Sequence, residues 1–330
     1  MCTHLFAQWT ARNMKPIVKA CIVAGFLVLA GCQGTPQTDQ LAKATPVGLV
    51  SAHQIDNVPF IAQQQYYCGP TTLAEVFGFY GTSVSANDIA PKIFIPDKEG
   101  SLQLEMVTAT RQYQYLPYQT QGSLTLLMQL ISDDIPVIVF QNLSISLLPQ
   151  WHYAVVTGFD LTKKTITLHT GVTKDHEMSF SLFEKTWGRG NYWLLAPVPP
   201  GVTSEHMVPF TYVSAAYDML KVAENNPIQQ TQALAFLQSA TQQWPSQWLA
   251  YFLLANFYLE TQPDLAREWF EKGYAYGKGQ KPYVHNYALA LIKTGQQEVA
   301  KNVLANAIDT FPNDSELLAL KERLAAKNSP

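Results

Sequence analysis

Apolar residues recur three and four positions apart over 71–80, 102–112 and 123–131, which predicts three helices that each bury one face. Farther along, the pattern changes to short runs dominated by β-branched and aromatic residues, at 137–140, 152–157, 165–168 and 192–195. Such runs predict strands. Helices first and consecutive strands later predict an α+β domain with an antiparallel sheet. The breaker cluster Pro197-Val198-Pro199-Pro200-Gly201 ends this mixed pattern. Beyond it, helical periodicity continues nearly throughout.

The helical part repeats. Ala300, Leu304, Ala307 and Pro312 are spaced four, three and five apart, and Ala233, Leu237, Ala240 and Pro245 show the same spacing 67 residues earlier. Ala266, Phe270 and Gly273 keep the four-three rhythm between them. Small residues at such positions let paired helices approach closely, and a proline ends the second helix of a unit. With Leu254, Ala255 and Tyr258 as a first-helix signature, the pattern resembles the tetratricopeptide repeat, in three units over about 210–325. The first unit is degenerate in its leading helix. The resemblance implies an all-α region over 201–330 that binds a protein partner or substrate.

Composition narrows the class. At 330 residues, two domains can each bury a core. An apolar fraction of 47% excludes a mostly disordered chain, and a net charge of -3 argues against a nucleic-acid binder that works on phosphate charge. No glycine-rich phosphate loop, cysteine pair or His-Glu-x-x-His cluster occurs, so neither a metal nor another cofactor is expected.

The front end reads differently. Arg12, Lys15 and Lys19 precede the apolar run 22–29, which leads into Ala30-Gly31-Cys32. A basic flank, a short apolar core and a small-residue site form an export pattern. Leu29-Ala30-Gly31-Cys32 resembles the bacterial lipoprotein signal, which implies removal of residues 1–31, lipidation of Cys32 and a chain anchored in the cell envelope, facing the periplasm or the exterior. Removal would take the net charge from -3 to -6, since residues 1–31 hold three basic side chains and no acidic one. Residues 32–50, rich in Gln, Thr and Pro at their start, then read as a tether to a domain over 51–200.

This processing makes the cysteine count informative. Cys2 and Cys21 leave with the signal and Cys32 carries lipid, so Cys68 is the one thiol left. An unpaired thiol in an oxidising compartment is either buried and inert or kept for its reactivity. Pro70 suits a first helical turn, so Cys68 is expected at a helix start, where N–H groups and the dipole favour thiolate. Gly69 is expected to let a substrate approach the backbone. A thiolate nucleophile needs a base that also protonates the leaving amine, and histidine serves both steps. Of seven histidines, His4 falls in the export segment, His53 precedes the body of the domain, and His206 and His285 lie in the helical part. His169 and His176 flank a turn and are expected to face solvent. His152 opens an apolar strand just after Trp151, where it can reach across a cleft that Trp151 walls. Tyr66 and Tyr67 either line that groove or pack beneath the helix.

Gln-x-x-x-x-Cys-Gly-Pro before a helix, followed about eighty residues later by His-Tyr-Ala-Val-Val-x-Gly-Phe-Asp, resembles the double-glycine (bacteriocin-processing) peptidases of the papain-like group, over roughly 55–198. The resemblance implies Cys68 as nucleophile, His152 as base and acid in a thiolate–imidazolium pair, and Gln63 as oxyanion donor together with the Cys68 N–H. Gln64 and Gln65 compete for that last role. The family's orienting aspartate has no counterpart in Leu168-His169-Thr170-Gly171; Thr170 is the candidate in its place, with Asp160 and Asp175 as substitutes, although Asp160, at the end of a strand, reads rather as a turn residue. No Gly-Gly pair occurs in the chain, so self-processing at the family's preferred sequence is not expected. The expectation is a membrane-anchored cysteine peptidase acting on a peptide or protein. Its competitors are a catalytically impaired scaffold serving as an envelope adaptor, and a cell-wall amidase or acyltransferase.

Overall fold

The computed structural model describes residues 34–44, 46–94, 100–145 and 147–326. Residues 1–44 and 45–330 form separate units. In the first, Pro36–Lys43 (α1) is helical with none of its residues buried. This differs from the structureless tether that composition suggested. Proline in the first turn, Asp39 near the start and Lys43 in the last turn all suit a helix and its dipole. Cys32 and the export segment lie outside the described residues, and among those described no helix is long and apolar enough to cross a membrane.

The second unit opens with strand β1 (Ala52–Gln54) and the helices α2 (Cys68–Phe79), α3 (Ala86–Ile93) and α4 (Gln103–Gln112). Every residue of α2 from Gly69 to Phe77 is buried, so this helix is enclosed on all sides rather than amphipathic. A capping box starts α3: Ser85 Oγ accepts from Asp88 N at 3.3 Å, and Asp88 Oδ2 accepts from Ser85 N at 3.2 Å. There follow β2 (Leu116–Gln121), α5 (Leu124–Ser132), β3 (Val137–Asn142), β4 (Trp151–Asp160), β5 (Thr165–Thr170), β6 (Thr173–Ser179), α6 (Phe180–Arg189) and β7 (Trp193–Val198).

The strands form one sheet in the order β2-β7-β3-β4-β5-β6, with β1 paired to the far end of β4. Every pairing is antiparallel. The interior strands β3, β4 and β7 are buried along most of their length because helices cover them: α2 and α5 pack against β4, and α6 against β3. A fully buried Trp187 ties α6 to the sheet through its indole N–H, which donates to Trp193 O at 2.8 Å. This is the α+β architecture that the pattern predicts.

Seven helices follow among the described residues: α7 (Pro209–Val222), α8 (Pro227–Gln243), α9 (Trp248–Tyr258), α10 (Pro263–Gly277), α11 (Lys281–Lys293), α12 (Gln297–Thr310) and α13 (Ser315–Ala326). They pack as three consecutive pairs with α13 against the last. The repeating positions are the contact positions: Ala233, Leu237, Ala240, Ala266, Phe270, Ala300 and Leu304 are all inaccessible to solvent. Pro245 and Pro312 stand just beyond the ends of α8 and α12, where a residue without an N–H stops the helix. The first pair rests directly on the sheet domain. α7 packs against β2, Val208 N donates to the Tyr118 hydroxyl at 2.9 Å, and Arg111 pairs with Asp218 at 3.1 Å.

Close approach within the repeats depends on Gly273, where an added Cβ would stand 2.6 Å from Tyr251 Cβ. Gly273→Leu is expected to overpack this contact and cost about 1–3 kcal/mol. Calorimetry should register a lower Tm, with the rate of Cys68 alkylation unchanged.

Candidate active site

Between the start of α2 and the start of β4 lies a cavity of about 700 Å³. Cys68, the first residue of α2, and His152, the second residue of β4, both line it, as do Gln63, Tyr66 and Trp151. Because α2 packs across β4, the Cys68 sulfur comes within hydrogen-bonding range of the Tyr153 backbone, next in sequence to His152. Phe140 stacks on Trp151 at 4.9 Å and 10°, which makes the wall expected of the tryptophan. The two tyrosines divide their roles. Tyr66 is exposed on the cleft, whereas Tyr67 packs edge-on against Phe94 at 5.2 Å.

His152 Nε2 is hydrogen-bonded to Thr170 Oγ1 at 2.7 Å. The register pairs Val155 with His169, so Thr170 is the diagonal cross-strand neighbour of His152, within reach of its ring. With Nε2 engaged by the hydroxyl, Nδ1 is the nitrogen left for proton transfer. Gln63 is half-buried and its Nε2 donates to Tyr153 O at a long 3.5 Å, while Gln64 and Gln65 are exposed. Of the three glutamines, Gln63 is therefore the one with its amide turned toward the sheet beside the sulfur.

Burial opposes the ionisation that the helix start favours. It pushes the Cys68 thiol up, against hydrogen bonds from the backbone of Tyr153, Gly69 and Cys68 that pull it down. The expected lowering of the thiol therefore does not prevail in this structure. Burial also pushes the His152 imidazole down to about 4. Both shifts favour a neutral thiol beside a neutral imidazole over a preformed ion pair.

Three further expectations meet a different structure. His169 faces the interior rather than solvent, at 1% exposure, with Nε2 on Asp175 Oδ1 at 3.2 Å and the Phe60 ring edge-on at 5.3 Å. Asp175 thus serves His169 and does not orient His152, whereas Asp160 accepts from the N–H groups of Thr162 and Lys163 in a turn, as its place at a strand end suggested. Gly69 is required by the protein's own packing: a Cβ there would stand 2.8 Å from Ser101 Oγ and 3.0 Å from Met106 Sδ. Sequence reasoning also passed over Glu75, fully buried in α2, because it lies between apolar residues that define the helix stripe. Among the described residues no group of side chains could hold a metal ion.

A thiol, an imidazole and an amide converging at the junction of a buried helix and an antiparallel sheet define a cysteine–histidine cleft. Residues 55–192 match the Peptidase_C39 like family. Among solved structures, a candidate C39-like peptidase from Bacillus anthracis is 16% identical, covering 47% of this chain and 100% of that one at a TM-score of 0.40. The peptidase domain of Streptococcus ComA, a bifunctional ABC transporter involved in quorum sensing, is 24% identical over 43% of this chain and 99% of that one, at a TM-score of 0.36. The first TPR domain of human RPAP3 is 13% identical over 37% and 93%, at a TM-score of 0.32. No curated protein matches the chain. Residues 55–192 are thus similar to that family, and paired helices follow them.

A carboxylate beside an imidazole favours its charged form. Thr170→Asp is therefore expected to raise the His152 pKa from about 4 by about 1–3 units. Titration of the ring by NMR measures this directly, and an unchanged value would separate Thr170 from the ring's electrostatics.

Proposed function

We propose that the protein is a cysteine peptidase of the bacterial envelope, anchored through lipid on Cys32, that hydrolyses an amide bond in a peptide or protein at the cleft. The observation that carries this reading is the convergence of Cys68, His152 and Gln63 on one cavity, with Thr170 fixing the ring. The Cys68 sulfur attacks the scissile carbonyl as its proton passes to His152 Nδ1, so the ion pair forms during attack rather than before it. Gln63 Nε2 and the Cys68 N–H donate to the oxyanion. The imidazolium then gives its proton to the leaving amine, and a thioester remains on Cys68. Water, deprotonated by His152, hydrolyses that thioester to the carboxylic acid and restores the thiol. The helical region supplies a surface for the substrate or for a partner protein.

A second reading, a scaffold without turnover that serves as an envelope adaptor, draws on one specific observation. Thr170 offers the ring a hydroxyl where a carboxylate would stabilise the imidazolium.

Peptide-library hydrolysis by the full chain separates the two. Cys68→Ala and His152→Ala are expected to abolish cleavage, and Gln63→Ala to lower kcat about a hundred- to a thousandfold. A protein that cuts no library peptide, and whose envelope products are unchanged in Cys68→Ala cells, would favour the scaffold.

A further inference from the structure

Glu75 lies seven positions after Cys68, two turns of α2, which places them on one side of the helix. The Glu75 side chain is closed off from solvent at 0% exposure. Its Oε1 accepts from Ile61 N at 2.8 Å, and its Oε2 has no hydrogen-bond partner. Among the described residues no lysine or arginine pairs with it; the one ion-pair contact is His169 Nδ1 at 3.9 Å from Oε2. That nitrogen is likewise buried and without a hydrogen-bond partner. Two orphaned polar atoms thus face each other in the core, one from the nucleophile helix and one from β5. Behind the ring, His169 Nε2 is engaged by Asp175, whose neighbour Lys174 also faces this edge of the domain.

An unpaired carboxylate in such a place is too costly to keep charged, whereas a neutral acid is tolerated there. Burial pushes the Glu75 carboxyl up to about 8, against the pull of the Ile61 N–H. Burial likewise pushes His169 down, opposed by Asp175 and by the Pro59 backbone and aided by Lys174. Nε2–H donates to Asp175, and the 3.9 Å between His169 Nδ1 and Glu75 Oε2 is a contact too long for a hydrogen bond.

The segment 59–63 links this pair to the cleft. Ile61 N rests on Glu75, and Gln63 N donates to Gly171 O at 2.9 Å, one residue after Thr170. We propose that Glu75, as a neutral acid that accepts from Ile61 N, is a positioning residue that holds segment 59–63, and so Gln63, over Cys68. The role of Gln63 rests on the peptidase reading; the proton on Glu75 does not.

The native state then keeps a proton that the unfolded chain releases at an ordinary carboxylate pKa near 4.5. Between that value and about 8 the stability contributed by this group falls as pH rises, and the loss is complete above the folded pKa.

Infrared difference spectra of the full chain, wild type minus Glu75→Gln, test the proton. A protonated-carboxyl stretch is expected at pH 6 and absent at pH 9.5, and its absence at pH 6 overturns the proposal. Glu75→Gln, neutral and still an acceptor for Ile61 N, should keep kcat within about threefold and flatten the decline of Tm between pH 5 and 8. An unchanged pH slope overturns the proposal too. Glu75→Leu should lower kcat about 10- to 100-fold at constant KM, with iodoacetamide labelling of Cys68 at the wild-type rate; wild-type kcat in that variant removes the positioning role. If the wild type cuts nothing, the peptidase reading falls. The infrared band and exchange protection of the Ile61 and Gln63 amides, expected to drop in Glu75→Leu, then still decide for or against Glu75.

Discussion

The enclosure of α2 governs the rest of the domain. A helix buried on every side from Gly69 to Phe77 must satisfy each polar group it carries from within the protein. Thr72 turns its hydroxyl back to Gly69 O at 2.9 Å, and Glu75 takes the Ile61 N–H. The same enclosure raises the Cys68 thiol and leaves no room for a side chain at Gly69. Its second effect is geometric: packing across β4 brings the helix start to the strand that presents His152. One burial therefore both assembles the cleft and resists charge within it.

That resistance shapes the chemistry on offer. A dipole at a helix start acts over a turn and is worth about 0.3–1 kcal/mol at exposed sites, up to about 2 in partly buried ones. Removal from water acts on the whole charge and is the largest influence on both Cys68 and His152 here. The hydroxyl of Thr170 holds the ring without compensating a charge on it.

The architecture was legible wherever neighbours in sequence decide it. Helix periodicity, β-branched runs and the four-three-five spacing of Ala, Leu and Pro are local patterns, and they mark α2, the central strands and the paired helices. Cys68, Gln63 and His152 stood out because their sequence surroundings are distinctive. The misses share a different cause. His169 sits in a strand that alternates polar and apolar residues, and its turnward position suggested solvent until Phe60 and Glu75, 109 and 94 positions earlier in sequence, closed over it. Glu75 itself gave no signal, because one acidic residue among apolar ones ordinarily marks the wet side of a helix. α1 was hidden by composition, since Gln, Thr and Pro suit a coil as well as a short helix.

The sheet's two margins are guarded by different means. β6 carries Lys174, Asp175, His176 and Glu177, a charged fringe that discourages another strand from pairing there. β2 has no such fringe; Leu116, Pro117 and Tyr118 are buried, and α7 lies against them. The first helical pair is thus also a cover for an adhesive margin. Severed after Val198, the N-terminal domain would present a bare, apolar strand to its neighbours and tend to self-associate, so the two halves of this chain are joined by solubility as much as by any shared task.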